Sequence, residues 1–74
     1  MNAEELLEKY AANLREFSGL DLSGKTFKGA TLSNANFSQA NLTQANFSVA
    51  KLASATLHQA ICDRANFHGA TLTL

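Results

Sequence analysis

The chain has 74 residues, 46% of them apolar and 16% charged, and its six acidic side chains balance its six basic ones. A chain this short buries only about 60% of the surface that its unfolded form exposes, so a globule of this size usually needs disulfides, a metal or a partner. Cys62 is the only cysteine, which excludes a disulfide framework and a C-x-x-C metal knuckle. The acidic N-terminus and the lack of a long apolar run predict a cytoplasmic protein without a secretory signal or a membrane span.

The first predicted element is an amphipathic helix over residues 2–14, within a capping segment 1–14. Asn2 with Glu5 three residues later resembles a capping box. Four apolar side chains would share one stripe of this helix: Leu6, Leu7, Tyr10 and Leu14. We expect the helix to cover one end of the domain that follows. A helix that binds a partner is the alternative.

From residue 15 to residue 74 the sequence repeats every five residues, giving twelve pentads. The third place of each pentad is Leu or Phe in all units but one, where it is Cys62, and the place two earlier is Ala from residue 30 onward. A period of five keeps no constant face on a helix or on a straight strand. The chain must therefore bend once per pentad, and repeated bends in one sense make a solenoid with an apolar interior.

This pattern resembles that of the pentapeptide repeat proteins, Ala-(Asp/Asn)-Leu-x-x. The clearest units are Ala35-Asn36-Phe37, Ala40-Asn41-Leu42, Ala45-Asn46-Phe47 and Ala65-Asn66-Phe67. The resemblance implies an all-β solenoid, a right-handed quadrilateral β-helix of about three coils with four pentads in each, behind an N-terminal α-helical cap.

Four pentads per coil would stack residues that are twenty apart. The predicted columns are Phe17/Phe37/Leu57, Leu22/Leu42/Cys62, Phe27/Phe47/Phe67 and Leu32/Leu52/Leu72. The asparagines of the Ala-Asn units would hydrogen-bond nearby backbone at the corners. The four glycines would serve as turn residues: Gly19, Gly24, Gly29 and Gly69.

The sequence offers no constellation of catalytic groups. Cys62 occupies a central, inward place, and His58 and His68 are ten residues apart, which would put them on opposite faces. We therefore predict no enzyme, no catalytic residues, no cofactor site and no metal site.

The C-terminal end of the repeats is predicted to be uncovered. The last coil would present Phe67, Leu72 and Leu74 together with unpaired backbone groups, which native proteins usually protect. We expect self-association through this surface, as an end-to-end homodimer. The alternatives are pairing with another pentapeptide-repeat chain, as part of a longer, split solenoid with a structural role, and an end that a monomer tolerates.

The expected function is that of a scaffold or protein-interaction module with an unassigned protein partner. Family members that confer fluoroquinolone resistance mimic DNA and bind DNA gyrase, which requires a long acidic rod. Here the chain from Phe17 onward has two acids, Asp21 and Asp63, against four bases, so DNA mimicry is disfavoured. The bases are too scattered for direct nucleic-acid binding. The resemblance also suggests a bacterial, in particular a cyanobacterial, source.

Overall fold

The computed structural model describes residues 1–73, in which one helix, α1 (Ala3–Ala11), precedes a long series of turns and isolated β-bridges. The predicted capping box is confirmed at the start of α1. The backbone N–H of Glu5 donates to Asn2 Oδ1 at 2.8 Å, and the backbone N–H of Asn2 donates to Glu5 Oε1 at 3.3 Å. These two bonds satisfy N–H groups that a helix N-terminus otherwise leaves free.

The predicted extent of the helix, to residue 14, is wrong at its C-terminal end. Asn13 has a φ of 75°, and the N–H groups of Asn13 and Leu14 donate to the carbonyls of Tyr10 and Lys9. This is a Schellman motif with an asparagine in the left-handed position. The predicted stripe is accordingly narrower: Leu6 is buried, whereas Leu14 is 46% exposed and Leu7 is 37% exposed.

The pentad region runs alongside itself every twenty residues, as the predicted columns require. Each bridge is parallel and links two residues that stand immediately before the central place (Leu, Phe or Cys62) of their pentads. Each bridge is isolated because a pentad has room for only one bridged residue between two turns. The bridges are Glu16↔Asn36, Asp21↔Asn41, Thr26↔Asn46, Thr31↔Lys51, Asn36↔Thr56, Asn41↔Ile61, Asn46↔Asn66 and Lys51↔Thr71. We call one such twenty-residue passage a circuit: the first is 15–34, the second 35–54 and the third begins at residue 55.

Each corner between pentads is a tight turn. In the turn from Phe27 to Ala30, the N–H of Ala30 donates to the carbonyl of Phe27 at 3.0 Å. The third residue of this turn is Gly29, the last residue of its pentad, and it has a φ of 70°. A positive φ at the third residue alone defines a type II turn, which favours glycine there. The role predicted for the glycines is thus confirmed. Seven other pentads place a non-glycine residue in the same conformation: Asn34, Gln39, Gln44, Val49, Ser54, Gln59 and Arg64.

The core is the stack of central residues in the interior of the circuits. The rings of Phe17 and Phe37 stack at 5.9 Å between centroids, and those of Phe27 and Phe47 at 5.0 Å, which confirms this stacking in both predicted columns that contain phenylalanine. Phe37 and Phe47, ten residues apart, meet edge to face at 5.9 Å. The two columns therefore contact each other across the interior, where the alanines of the second circuit are also buried.

Candidate interaction surface

The two ends of the repeat region differ in how well their apolar residues are covered. In the first circuit all four central side chains are at most 1% exposed: Phe17, Leu22, Phe27 and Leu32. In the third circuit three are only partly buried and one is 45% exposed: Leu57, Cys62, Phe67 and Leu72. We call these last four residues the C-terminal face.

The residues predicted for self-association are placed as follows. Phe67 and Leu72 lie in the C-terminal face, whereas Leu74 lies outside the described residues. Sequence reasoning missed Leu57 and Cys62 as members of this surface. The signal was present, because both stand in the predicted twenty-residue columns, in the same third circuit as Phe67 and Leu72.

The first circuit is covered by α1. The side chain of Leu6 is fully buried in the same cluster as the central residues, and Ala3 and Tyr10 pack against that cluster. The hydroxyl of Tyr10 donates to the carbonyl of Ser33 at 2.8 Å. The guanidinium of Arg15 lies 3.7 Å from the centroid of the Tyr10 ring and donates to the carbonyls of Tyr10 and Leu14. The contacts of Tyr10 hold the C-terminal end of α1 against the first circuit.

Three backbone hydrogen bonds per pentad join one circuit to the next. In the pentad around Phe37, the N–H of Phe37 donates to Thr56 O at 2.8 Å and the N–H of Gln39 to His58 O at 2.8 Å. In return, Thr56 N–H donates to Ala35 O at 2.9 Å. Each pentad thus offers the following circuit two N–H donors and one C=O acceptor.

The same groups of the third circuit have no partner within residues 1–73, and they form what we call the C-terminal edge. Its donors are the N–H groups of Leu57, Gln59, Cys62, Arg64, Phe67, Gly69 and Leu72, and its acceptors are the carbonyls of Ala55, Ala60, Ala65 and Ala70. Unpaired backbone groups around an apolar surface are the features that let a sheet edge bind another chain. The C-terminal face and this edge together make the candidate site.

The corner asparagines have the predicted structural role. The Oδ1 atoms of Asn36, Asn41, Asn46 and Asn66 each accept from the backbone N–H two residues later, at 2.9–3.1 Å. Asp21 makes the same bond to Ser23 N–H at 3.1 Å and also accepts from the Ser23 hydroxyl at 2.7 Å. The bonds from the Ser23 hydroxyl and N–H lower the pKa of Asp21, because they favour the charged carboxylate.

The titratable residues of the third circuit are dispersed. Partial burial, followed by the charge of Asp63, raises the pKa of the Cys62 thiol, which keeps it in the unreactive protonated form. His58 and His68 are both exposed. Within residues 1–73 no three His, Cys, Asp or Glu side chains lie close enough together to hold a metal ion.

Across the described part of the chain, no helix has both the length and the apolar character needed to cross a bilayer.

A family model described as pentapeptide repeats matches residues 12–48 and 50–73, in eight copies. No curated protein matches the chain. The family match covers well over half of the sequence and the same segment that carries the twenty-residue bridges. The chain therefore belongs to the pentapeptide repeat family.

Proposed function

We propose that residues 15–74 form a right-handed quadrilateral β-helix of about three coils, capped by α1, which acts as a non-catalytic protein-interaction module. Bridges between residues twenty apart support four pentads per coil. Turns after successive pentads support four corners per coil. In this arrangement the outward side chains are varied and mostly small and polar, so the ends of the coil are the distinctive surfaces.

The module associates end to end through its C-terminal face, in the first instance with a second copy of itself. The observation that carries this proposal is the contrast between the two ends: Leu22 of the first circuit is 0% exposed, whereas Leu72 of the third is 45% exposed. Association would remove the uncovered apolar groups from water, at about 25 cal/mol per Å². A two-fold axis would bring one face against the same face of the copy.

The backbone at the C-terminal edge is compatible with such a two-fold contact. Facing edges of two copies would run antiparallel, so that Leu57 N–H could donate to Ala55 O of the copy and the reverse bond could form as well. The same pairing is open to the other pentads of the third circuit. Another pentapeptide-repeat chain could occupy the same surface in place of the second copy.

Mimicry of DNA receives no support from the shape or the charge of this chain. Its principal extents are 29 × 22 × 21 Å, which is not the shape of a rod. Outside α1 and Glu16, its acids are outnumbered by its bases.

Sedimentation velocity over a concentration series tests the proposal. We expect a monomer–dimer equilibrium for the wild type that shifts toward dimer with concentration, and a monomer for Leu72→Glu at every concentration. Leu7→Glu is the matched control, because Leu7 is similarly exposed but lies on α1 at the opposite end, and it should associate like the wild type. A wild type that stays monomeric, or a Leu72→Glu variant that dimerises equally well, would contradict the proposal.

A further inference from the structure

The first circuit has a backbone edge that is the counterpart of the C-terminal edge. In the second circuit, Asn36 N–H donates to Arg15 O at 2.7 Å, and Asn36 O and Ser38 O accept from the first circuit at 2.8 and 2.9 Å. The equivalent groups one circuit earlier are the N–H and C=O of Glu16 and the C=O of Ser18. Each pentad of this N-terminal edge therefore presents one donor and two acceptors, where the C-terminal edge presents two donors and one acceptor.

The helix covers the N-terminal edge without pairing most of it. Within residues 1–73, the carbonyl of Ser33 is the one edge group that accepts a hydrogen bond from α1, through the Tyr10 hydroxyl. The main contribution of α1 is apolar, through the fully buried Leu6. A third-circuit edge in the place of α1 would instead pair all three groups of each pentad.

We propose that this N-terminal edge is a second, latent association surface, and that it binds the C-terminal edge of a second copy head to tail when α1 is displaced. The proposal rests on the C-terminal face of the proposed function as the other half of the contact. A two-fold contact pairs at most two of the three groups per pentad of the C-terminal edge, whereas the head-to-tail contact pairs all three. The donor excess of one edge matches the acceptor excess of the other.

The repeat fixes the register of this contact. Continuing the twenty-residue spacing places Thr56 beside Glu16 of the next copy, and the later bridged residues, Ile61, Asn66 and Thr71, beside its Asp21, Thr26 and Thr31. A head-to-tail contact does not close on itself, so it generates chains of indefinite length. In this account α1 has a regulatory role, because it limits self-association to the C-terminal face.

Variants that loosen α1 test the proposal in the full chain. Leu6→Glu introduces a charge at the buried anchor of α1, and Tyr10→Ala removes the bond to Ser33 while leaving Leu6 in place. We expect both variants to sediment as a series of species larger than a dimer, with larger species increasing with concentration. Leu7→Glu, an exposed position on the same helix, should behave as the wild type.

A mixing experiment isolates the head-to-tail contact. The double variant Leu6→Glu/Leu72→Glu has a freed N-terminal edge and a blocked C-terminal face, so alone it should be a monomer. With the wild type, whose N-terminal edge is covered, it should form a 1:1 complex and nothing longer. The wild type mixed with Leu72→Glu should form no such complex.

Disulfide trapping distinguishes this contact from unspecific aggregation. Bridged residues of neighbouring parallel chains lie about 5 Å apart, within the range that a disulfide spans. All chains in this experiment carry Cys62→Ala. A Leu6→Glu/Glu16→Cys chain is mixed either with a Thr56→Cys chain or, as the control, with an Ile61→Cys chain. The mixture with Thr56→Cys should form the disulfide at least tenfold faster than the mixture with Ile61→Cys. Equal rates would overturn the register.

The outcomes separate the two proposals. A monomeric wild type together with large Leu6→Glu species contradicts only the two-fold dimer of the proposed function. A dimeric wild type together with folded Leu6→Glu and Tyr10→Ala chains that grow no larger than dimers overturns the latent edge. Loss of the β circular-dichroism signal in both variants also overturns it, because the edge would then not exist apart from α1.

Discussion

The rings of Phe47 and Phe67 are stacked and nearly parallel, with 5° between their planes and 5.3 Å between their centroids, yet only Phe47 is fully buried. Phe47 also contacts Phe27 and Phe37, so it has three ring neighbours, whereas Phe67, within residues 1–73, stacks on Phe47 alone and is only partly buried. The pair marks the boundary between the closed interior and the C-terminal face.

Replacing the two phenylalanines by leucine should therefore have unequal effects on stability. At about 0.5–1.5 kcal/mol per ring pair, Phe47→Leu should lower the free energy of unfolding by about 2–4 kcal/mol, and Phe67→Leu by about 1 kcal/mol. Urea denaturation at low protein concentration, where the monomer dominates, measures both values. Equal losses would contradict the assignment of Phe67 to an open surface.

Val49→Asn should stabilise the fold. Val49 is a β-branched residue at a φ of 51°, a conformation that costs about 1–2 kcal/mol for most residues and less for asparagine. Its side chain is 52% exposed, so little burial is lost. We expect a gain of about 1 kcal/mol in the free energy of unfolding. Ile61→Asn is the control, because Ile61 is 51% exposed but has no positive φ, and it should give no gain.

The acid sensitivity of the fold should depend on Asp21. Its pKa is lowered in the folded state, so its contribution to stability is present above the pKa of the unfolded chain, about 4, and is lost as the pH falls through the lower folded value. Asp21→Asn keeps a side-chain oxygen that can accept from a backbone N–H, as Asn41 Oδ1 accepts from Thr43 N–H in the next circuit, but the amide cannot titrate. The wild type should thus lose stability relative to Asp21→Asn below about pH 4. If the melting temperatures of the wild type and of Asp21→Asn fell equally as the pH was lowered, this prediction would be refuted.

The thiol of Cys62 offers a chemical probe of the C-terminal face. Because burial and Asp63 raise its pKa, iodoacetamide should modify it more slowly than a free thiol at the same pH. The rate should fall further as the protein concentration rises, since association covers the face. In Leu72→Glu the rate should not depend on protein concentration. A wild-type rate that is equally independent of concentration would argue against burial of Cys62 in a dimer.

The sequence predicts the stacking because Phe and Leu recur at fixed places, so that the stacked Phe17 and Phe37 are already in register in the printed chain. It is less informative where one residue decides a local conformation. Asn13 ends α1 by entering the left-handed region, and this leaves Leu14 outside the apolar stripe. Val49 adopts a conformation that its type disfavours, because its N–H is bonded to His68 O at 2.8 Å in the next circuit. Contacts between circuits override local preference there.

Amide hydrogen exchange, measured residue by residue, shows whether the C-terminal edge becomes buried when the protein associates. The N–H groups of Leu57, Cys62 and Phe67 should exchange rapidly in dilute protein and become protected as the concentration rises. In Leu72→Glu they should stay unprotected. The N–H of Leu32, bonded to Lys51 O at 2.8 Å, should be protected throughout. Association without new protection at Leu57, Cys62 and Phe67 would show that the C-terminal edge is not the surface through which the protein associates.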